Sequence, residues 1–491
     1  MYTRICLLCL LAVGCGSSTP SDVAKVERRS GPPRGSPAAG GLLHGGGAPK
    51  PVTPEGPAPE ARARPGDPLP ADLGTRPAGS DWAGFLGPTR DSVSAEKGII
   101  APWPQDGLRI VWQRKLGESY AAPAISRGRL FMFDRVGDKA KLDCLKSETG
   151  EPLWTFEYPT AYEDNYGYNG GPRCCPVVNG DRVYIYGPEG MLHCLKTGDG
   201  KLVWKVDTAK EFGVINRFFG VGSTPVVEGD LLLVQVGGSP EGSENVATMA
   251  LKPNGTALVV FDKYTGKVRY KAGDDLASCA SPVLATIGGR CWCFLFARSG
   301  LFGLEPATGN IDFHFRWRAP MLESVNASNP VVVGDRVFIS ETYGPGSALL
   351  KIKPGACEEV WTDLRQPRDK SMQCHWMTPI HIAGYLYGCS GRHPDNAELR
   401  CIELATGKVM WSEPDLKRTS LLLVDNHFIC LSEDGVLRLL KINPQKYEEV
   451  SQMTQPGLRY PCWAAPILSH GLLYVRGRDR LYCLELIPEK G

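Results

Sequence analysis

Several features are missing from this sequence, and each absence removes a class of protein. No apolar stretch is long enough to cross a bilayer: the run from Ile5 to Val13 covers nine residues, where a spanning helix needs about twenty. Charge of one sign is also missing. The chain carries 55 Lys and Arg against 53 Asp and Glu, for a net charge of +2. With no clustered basic stripe, nothing marks a nucleic-acid binder. There is no C-x-x-C-H segment for covalent haem attachment and no Cys/His spacing of the zinc-site type. What remains is an ordinary globular balance, 42% hydrophobic and 22% charged, in 491 residues.

The N-terminus reads as a targeting segment. Arg4 precedes the short apolar run, and small residues lead to Cys15. The segment "LAVGC" resembles the lipobox of bacterial lipoproteins, which implies cleavage and lipid attachment at Cys15. An ordinary secretory signal is the alternative, and export follows from either. Gly16, rather than Asp, follows the cysteine, which by the sorting rule of lipoproteins implies the outer membrane. From Gly16 to Ser80, 25 of 65 residues are Gly or Pro, too few large apolar side chains to offset the entropy of ordering. The expectation is therefore a signal over residues 1–15, a disordered linker over 16–80, and a folded body over 81–491.

That body is repetitive. "KLDCLKSETGEPLW" (141–154), "MLHCLKTGDGKLVW" (191–204), "LVVFDKYTGKVRY" (258–270), "LFGLEPATGNIDF" (301–313), "ALLKIKPGACEEVW" (348–361) and "LRCIELATGKVMW" (399–411) are variants of one unit. "LRLLKINPQKYEEV" (437–450) is a decayed copy, and "RLYCLEL" (480–486) stops before its Gly and aromatic. Each is preceded by a hairpin such as "CCPVVNGDRVYIY" (174–186) or "SNPVVVGDRVFIS" (328–340). Each unit thus contains four short strands, A to D, at the spacing of a propeller blade. The eighth unit lacks strand D, while "LRIVWQRKL" (108–116) is a strand D with no unit of its own. The fold expected is an all-β, eight-bladed β-propeller whose N-terminal strand completes the last blade. A seven-bladed ring, with 420–450 as an insertion, is the alternative.

Cys144, Cys194, Cys401 and Cys483 share one position on strand C and read as small packing residues. Adjacent Cys174 and Cys175 could join as a disulfide, but packing is the favoured reading. The A–B and C–D turns are short and generic, whereas the D–A and B–C connections, which emerge on the opposite face, are long, aromatic and polar. Binding belongs on that second face. Its candidate residues are Tyr166, Tyr168, Asn169, Arg173, Arg217, Phe218, Phe219, Asn326, Asn329, Glu341, Tyr343, His375, Trp376, Arg392, His393 and Trp463. No metal site is expected, although Asp164, Glu341 and the Asn pair are considered as an alternative cation set.

The units "CLKSETGEPLW", "VVFDKYTGKVRY" and "CIELATGKVMW" resemble the pyrroloquinoline-quinone-like repeat. With the lipobox and eight units, the chain resembles bacterial PQQ-like propeller lipoproteins of the BamB type from about Trp82 to Leu486. The resemblance implies a non-catalytic, monomeric binding or scaffold module in the cell envelope, held to a membrane only through its lipid and taking a protein partner or small ligand. No cofactor is expected on that reading. Two alternatives remain: a quinoprotein oxidoreductase, in which PQQ and calcium would occupy the funnel with an Asp as base, and a glycan-binding module.

Overall fold

The computed structural model describes residues 68–215, 219–366 and 368–489. The lipobox, Cys15 and most of the proposed linker lie outside these residues, as do Arg217 and Phe218. No helix among the described residues is long and apolar enough to cross a membrane.

Among the described residues eight sheets follow one another along the chain, seven of them four-stranded and antiparallel and one an antiparallel four with a fifth, parallel strand added. Blades 1 to 7 occupy residues 124–159, 177–207, 226–272, 283–316, 331–362, 380–413 and 419–454. Blade 8 combines 467–485 with the N-terminal strand Ile110–Lys115, which pairs antiparallel with Arg480–Glu485 and places Trp112 opposite Cys483. The segment around 420–450 is a complete blade with all three strand pairings, which removes the seven-bladed alternative. In seven blades a Pro lies directly before strand A, as Pro176 does before Val177–Asn179. There its missing N–H costs no ladder bond.

The recurrent Trp and Gly are explained together. Every C–D pairing carries a register shift beside the aromatic position, as between Leu202 and Trp204. Such bulges twist a strand and re-aim its side chains. The strand-D indoles then reach the next blade. Trp154 Nε1 donates to Thr197 O at 3.2 Å, and Trp204 Nε1 to Lys263 O at 3.1 Å. The turn glycine receives the ring: Gly200 has φ +72°, and a Cβ there would lie 2.5 Å from Trp154. The glycine is thus required by its positive φ and by the neighbour's indole. Trp112 repeats the contact from blade 8 to blade 1, donating to Ser147 O at 2.8 Å and covering Gly150. The circle closes by packing as well as by pairing.

Blade 7 has no such aromatic on strand D, and its neighbour explains why. Blade 8 takes strands C and D from opposite ends of the chain, so it has no C–D hairpin for an indole to cover. The N-terminal segment fills the seam instead. Trp103 is buried with its backbone N–H on Ser451 Oγ at 3.1 Å, and the Ile100 N–H reaches Leu486 O at 2.9 Å.

The apolar cores lie between neighbouring blades. Cys144, Cys194, Cys401 and Cys483 all sit there, each opposite a strand-D Trp. Burial pushes the Cys144 and Cys194 thiols up to about 12, leaving them inert. Cys174 and Cys175 are free and belong to different interblade cores.

Described residues ahead of Asp81, which the sequence reading assigned to the linker, also contact the blades. Glu148 accepts from the backbone N–H groups of Thr75 and Arg76, and Arg76 pairs with Glu485 at 2.8 Å. Beyond these contacts, residues 79–99 cross the ring at its short-turn end. Trp82 bridges to Ile125 in blade 1, Ala83 O accepts from Val178 in blade 2, and Arg90 donates to Val227 O in blade 3. Val93–Ser94 adds a parallel strand to blade 7, and Glu96 accepts from the His470 and Gly471 N–H groups in blade 8. This segment plugs the channel.

Candidate functional site

Above the plug, the D–A and B–C connections converge on a cavity of about 290 Å³. Ten sequence candidates line it: Tyr166, Tyr168, Arg173, Phe219, Tyr343, His375, Trp376, Arg392, His393 and Trp463. Phe85 of the plug belongs to the lining too, so the channel becomes a funnel with a floor.

The rings form a nearly continuous wall. Tyr166 stacks on Phe219 with centroids 5.4 Å apart, and Phe219 meets Tyr168 at 5.7 Å. Trp463 lies 5.4 Å from Tyr168 and 5.0 Å from Trp376. His375 follows at 4.7 Å from Trp376, and its Nε2 is 3.0 Å from Tyr343 Oη. Arg392 rests over the Tyr343 ring at 4.5 Å. Burial, aided by Arg418, Arg392 and His393, lowers the His375 imidazole to about 3, so it is neutral at physiological pH.

Behind the wall, arginines neutralise carboxylates. Arg173 pairs with the fully buried Asp164 at 2.7 Å. Arg418 pairs with Glu433 at 2.6 Å and lies over Trp376 at 4.5 Å, while Trp463 Nε1 donates to the same Glu433 at 2.9 Å. Arg418, Glu433, Tyr120 and Phe85 were not singled out from the sequence. Arg418 lies in a D–A connection, so its position in the repeat carried a signal. Glu433 sits in the short "SEDG" turn of the decayed unit, where repeat matching was weakest.

The remaining candidates serve the loops rather than the cavity. Asn326 is buried and donates to Ala297 O and Trp317 O at 2.7 and 3.2 Å. Asn329 Oδ1 accepts from the Ser281 N–H at 2.8 Å, and Asn169 Oδ1 from the Gly171 N–H at 3.1 Å. Glu341 accepts from Ser324 Oγ at 2.6 Å and from the Tyr343 N–H at 3.1 Å. These residues do not converge with Asp164, so the alternative cation set is not assembled.

Comparison with known proteins now bears on this arrangement. A family model described as outer membrane protein assembly factor BamB matches residues 138–413. The chain belongs to this family. A BamB from Shewanella oneidensis is 21% identical over 403 residues, covering 77% of this chain and 89% of that protein. The crystal structure of BamB from Moraxella catarrhalis matches with TM-score 0.53 at 15% identity, over 78% of this chain and 99% of that one. A quinohemoprotein alcohol dehydrogenase from Comamonas testosteroni matches with TM-score 0.57 at 12% identity, over 84% and 82%. At these identities the two structures share the fold with this chain and nothing finer.

The dehydrogenase likeness raises the quinone and its calcium once more. Among the described residues, no group of three or more His, Cys, Asp or Glu side chains is placed to hold a metal ion. Asp164 and Glu433, the buried carboxylates behind the wall, are each engaged by an arginine. These residues do not fit a calcium-dependent quinone site.

Proposed function

We propose that this protein is a non-catalytic envelope propeller, lipid-anchored at Cys15 on the periplasmic side of the outer membrane, which assists assembly of outer-membrane proteins by docking a partner at the funnel face. The observation that carries this reading is the family match over residues 138–413, whose description names that assembly role. The funnel's chemistry supports it: rings and arginines, typical of interface anchors, surround a cavity behind which the buried acids Asp164 and Glu433 are tied up in ion pairs.

The test uses photoreactive residues placed in living cells at exposed rim positions Tyr166 and His393, with Lys267 in a C–D turn as control. The reading expects an adduct with a component of the outer-membrane assembly apparatus from the rim positions alone. It also expects fewer outer-membrane barrel proteins on depletion, and release from the membrane on Cys15→Ala. Adducts only from Lys267, or unchanged barrel levels after depletion, would overturn it.

A further inference from the structure

Blade 8 takes strand D from one end of the chain and strand C from the other. At the end of this pair that faces the funnel, Lys115 stands directly opposite Arg480. Like charges facing across a ladder are destabilising. Elsewhere the chain relieves such pairs with a carboxylate. Lys351 faces Arg336 but pairs with Asp335 at 3.6 Å, and Lys146 faces Arg129 but pairs with Glu151 at 2.7 Å. At the funnel end of the C–D ladder, no other blade among the described residues sets Lys or Arg opposite Lys or Arg. In blade 8 the charge is added to instead. The Arg478 N–H donates to Arg459 O at 3.3 Å, which brings two more cations to the same rim. Arg480 reaches only the neutral amide of Gln113, at 2.9 Å. Among the described residues none of these four cations makes an ion pair, not even with the adjacent Asp479. Lys115, Arg459 and Arg478 are exposed. Beside them Tyr460 is 50% exposed and held edge-on by Trp463 of the funnel wall, with centroids 6.0 Å apart.

We infer that this corner of the rim docks an acidic segment of a protein partner, whose carboxylates meet Lys115, Arg459 and Arg478 while an apolar side chain packs on Tyr460. The inference rests on the docking reading above and names the chemistry of the partner at that face. A negatively charged segment relieves the repulsion that the free protein carries, and complementary charge steers its approach. Arginine beside an exposed tyrosine is the composition of interface anchors. An anionic lipid surface offers the same charge but suits the place less well. The described chain enters at the opposite end of the ring, where Leu69 lies beside the Gly180 turn and Arg129 donates to Ala71 O.

Full-length protein in phosphatidylcholine nanodiscs is titrated, by fluorescence anisotropy, with a dye-labelled peptide of Glu and Asp around one Phe, and with its Gln and Asn counterpart. The acidic peptide should bind saturably and the neutral one roughly tenfold more weakly, the scale of a few rim ion pairs. Raising salt from about 50 to about 200 mM should weaken the acidic peptide several-fold and the neutral one little. Arg459→Glu combined with Arg478→Glu should lower the affinity roughly tenfold, whereas Lys267→Glu, on a C–D turn, should change it by less than about twofold. Tyr460→Ala should weaken binding several-fold at every salt concentration. Thermal melts check that each variant folds. Equal binding of the two peptides, or an equal loss in Lys267→Glu, would overturn the proposal. Capture by phosphatidylglycerol vesicles that the double variant abolishes, with no preference for the acidic peptide, would assign the patch to a lipid surface and overturn it as well. In cells, the double variant should yield fewer adducts from Tyr166 and His393. Undiminished adducts would leave the docking reading in place and contradict this one alone.

Discussion

Glu433 receives four donors: the Arg418 backbone N–H, two guanidinium nitrogens of Arg418, and the Trp463 indole. Removing it would leave a buried guanidinium without its counter-charge. Glu433→Ala should cost about 3–5 kcal/mol, read as a lower denaturant midpoint, and should alter Trp463 fluorescence. Glu341 tests a different balance. Burial outweighs its hydrogen bonds from Ser324 and Tyr343 and raises it to about 7. The folded state therefore holds the proton more tightly than the unfolded chain. The resulting stabilisation is complete below the ordinary glutamate range and disappears as pH rises through about 7. Relative to Glu341→Gln, the native protein should lose on the order of 2 kcal/mol between about pH 5 and pH 8, measured by urea unfolding. At this scale the sequence was legible by type more than by role. Tyr166, Trp376 and Arg392 were located because aromatics and arginines stood out in long loops. Asn326 and Asn329 stood out equally, yet they hold backbone, one donating to carbonyls and the other accepting from an N–H, since a buried backbone group needs a partner whatever the loop's function.

The repeating element is the aromatic of one blade seated on the turn glycine of the next. Gly200→Ala combines a positive φ with a Cβ 2.5 Å from the Trp154 ring. It should destabilise the protein by roughly 2 kcal/mol or more, whereas Gly229→Ala, at positive φ but with open space around it, should cost only the backbone term of about 1–2 kcal/mol. Comparing the two denaturant midpoints separates conformational strain from the indole contact. The plug has its own pH signature. His470 is bonded to Asp81 at 3.3 Å and to Ala78 O at 3.1 Å, and the Asp81 hydrogen bond, against partial burial, raises the imidazole above its usual value. A raised histidine contributes stability that is full below about pH 6.5 and lost as pH rises through the higher folded value. Because both groups are partly exposed, the effect should stay below about 1 kcal/mol. Protection of amides in residues 79–99 against hydrogen exchange should fall over that pH range, and His470→Gln should remove the pH dependence. The blade pattern was legible because strand alternation and turn glycines repeat. The plug was not, since an unrepeated segment of Gly, Pro and scattered apolar residues has no periodicity to read.

For the whole molecule, the two chain ends in one sheet fix a ring, and the ring fixes which loops meet. A missing strand D at residue 486 and a spare one at 108 made that closure readable without coordinates. The floor of the funnel was unreadable, because Phe85 reaches it only through the plug's path across the ring. Ring closure is the premise of both the funnel and the docking site proposed on its rim. The direct measurement is amide hydrogen exchange on the full-length protein, following Ile110–Lys115 and Arg480–Glu485 as denaturant is raised. The account predicts that these two strands are equally protected and open together, and that Trp112→Ala weakens both. Rapid exchange of Ile110–Lys115 beside a fully protected Arg480–Glu485 would contradict it.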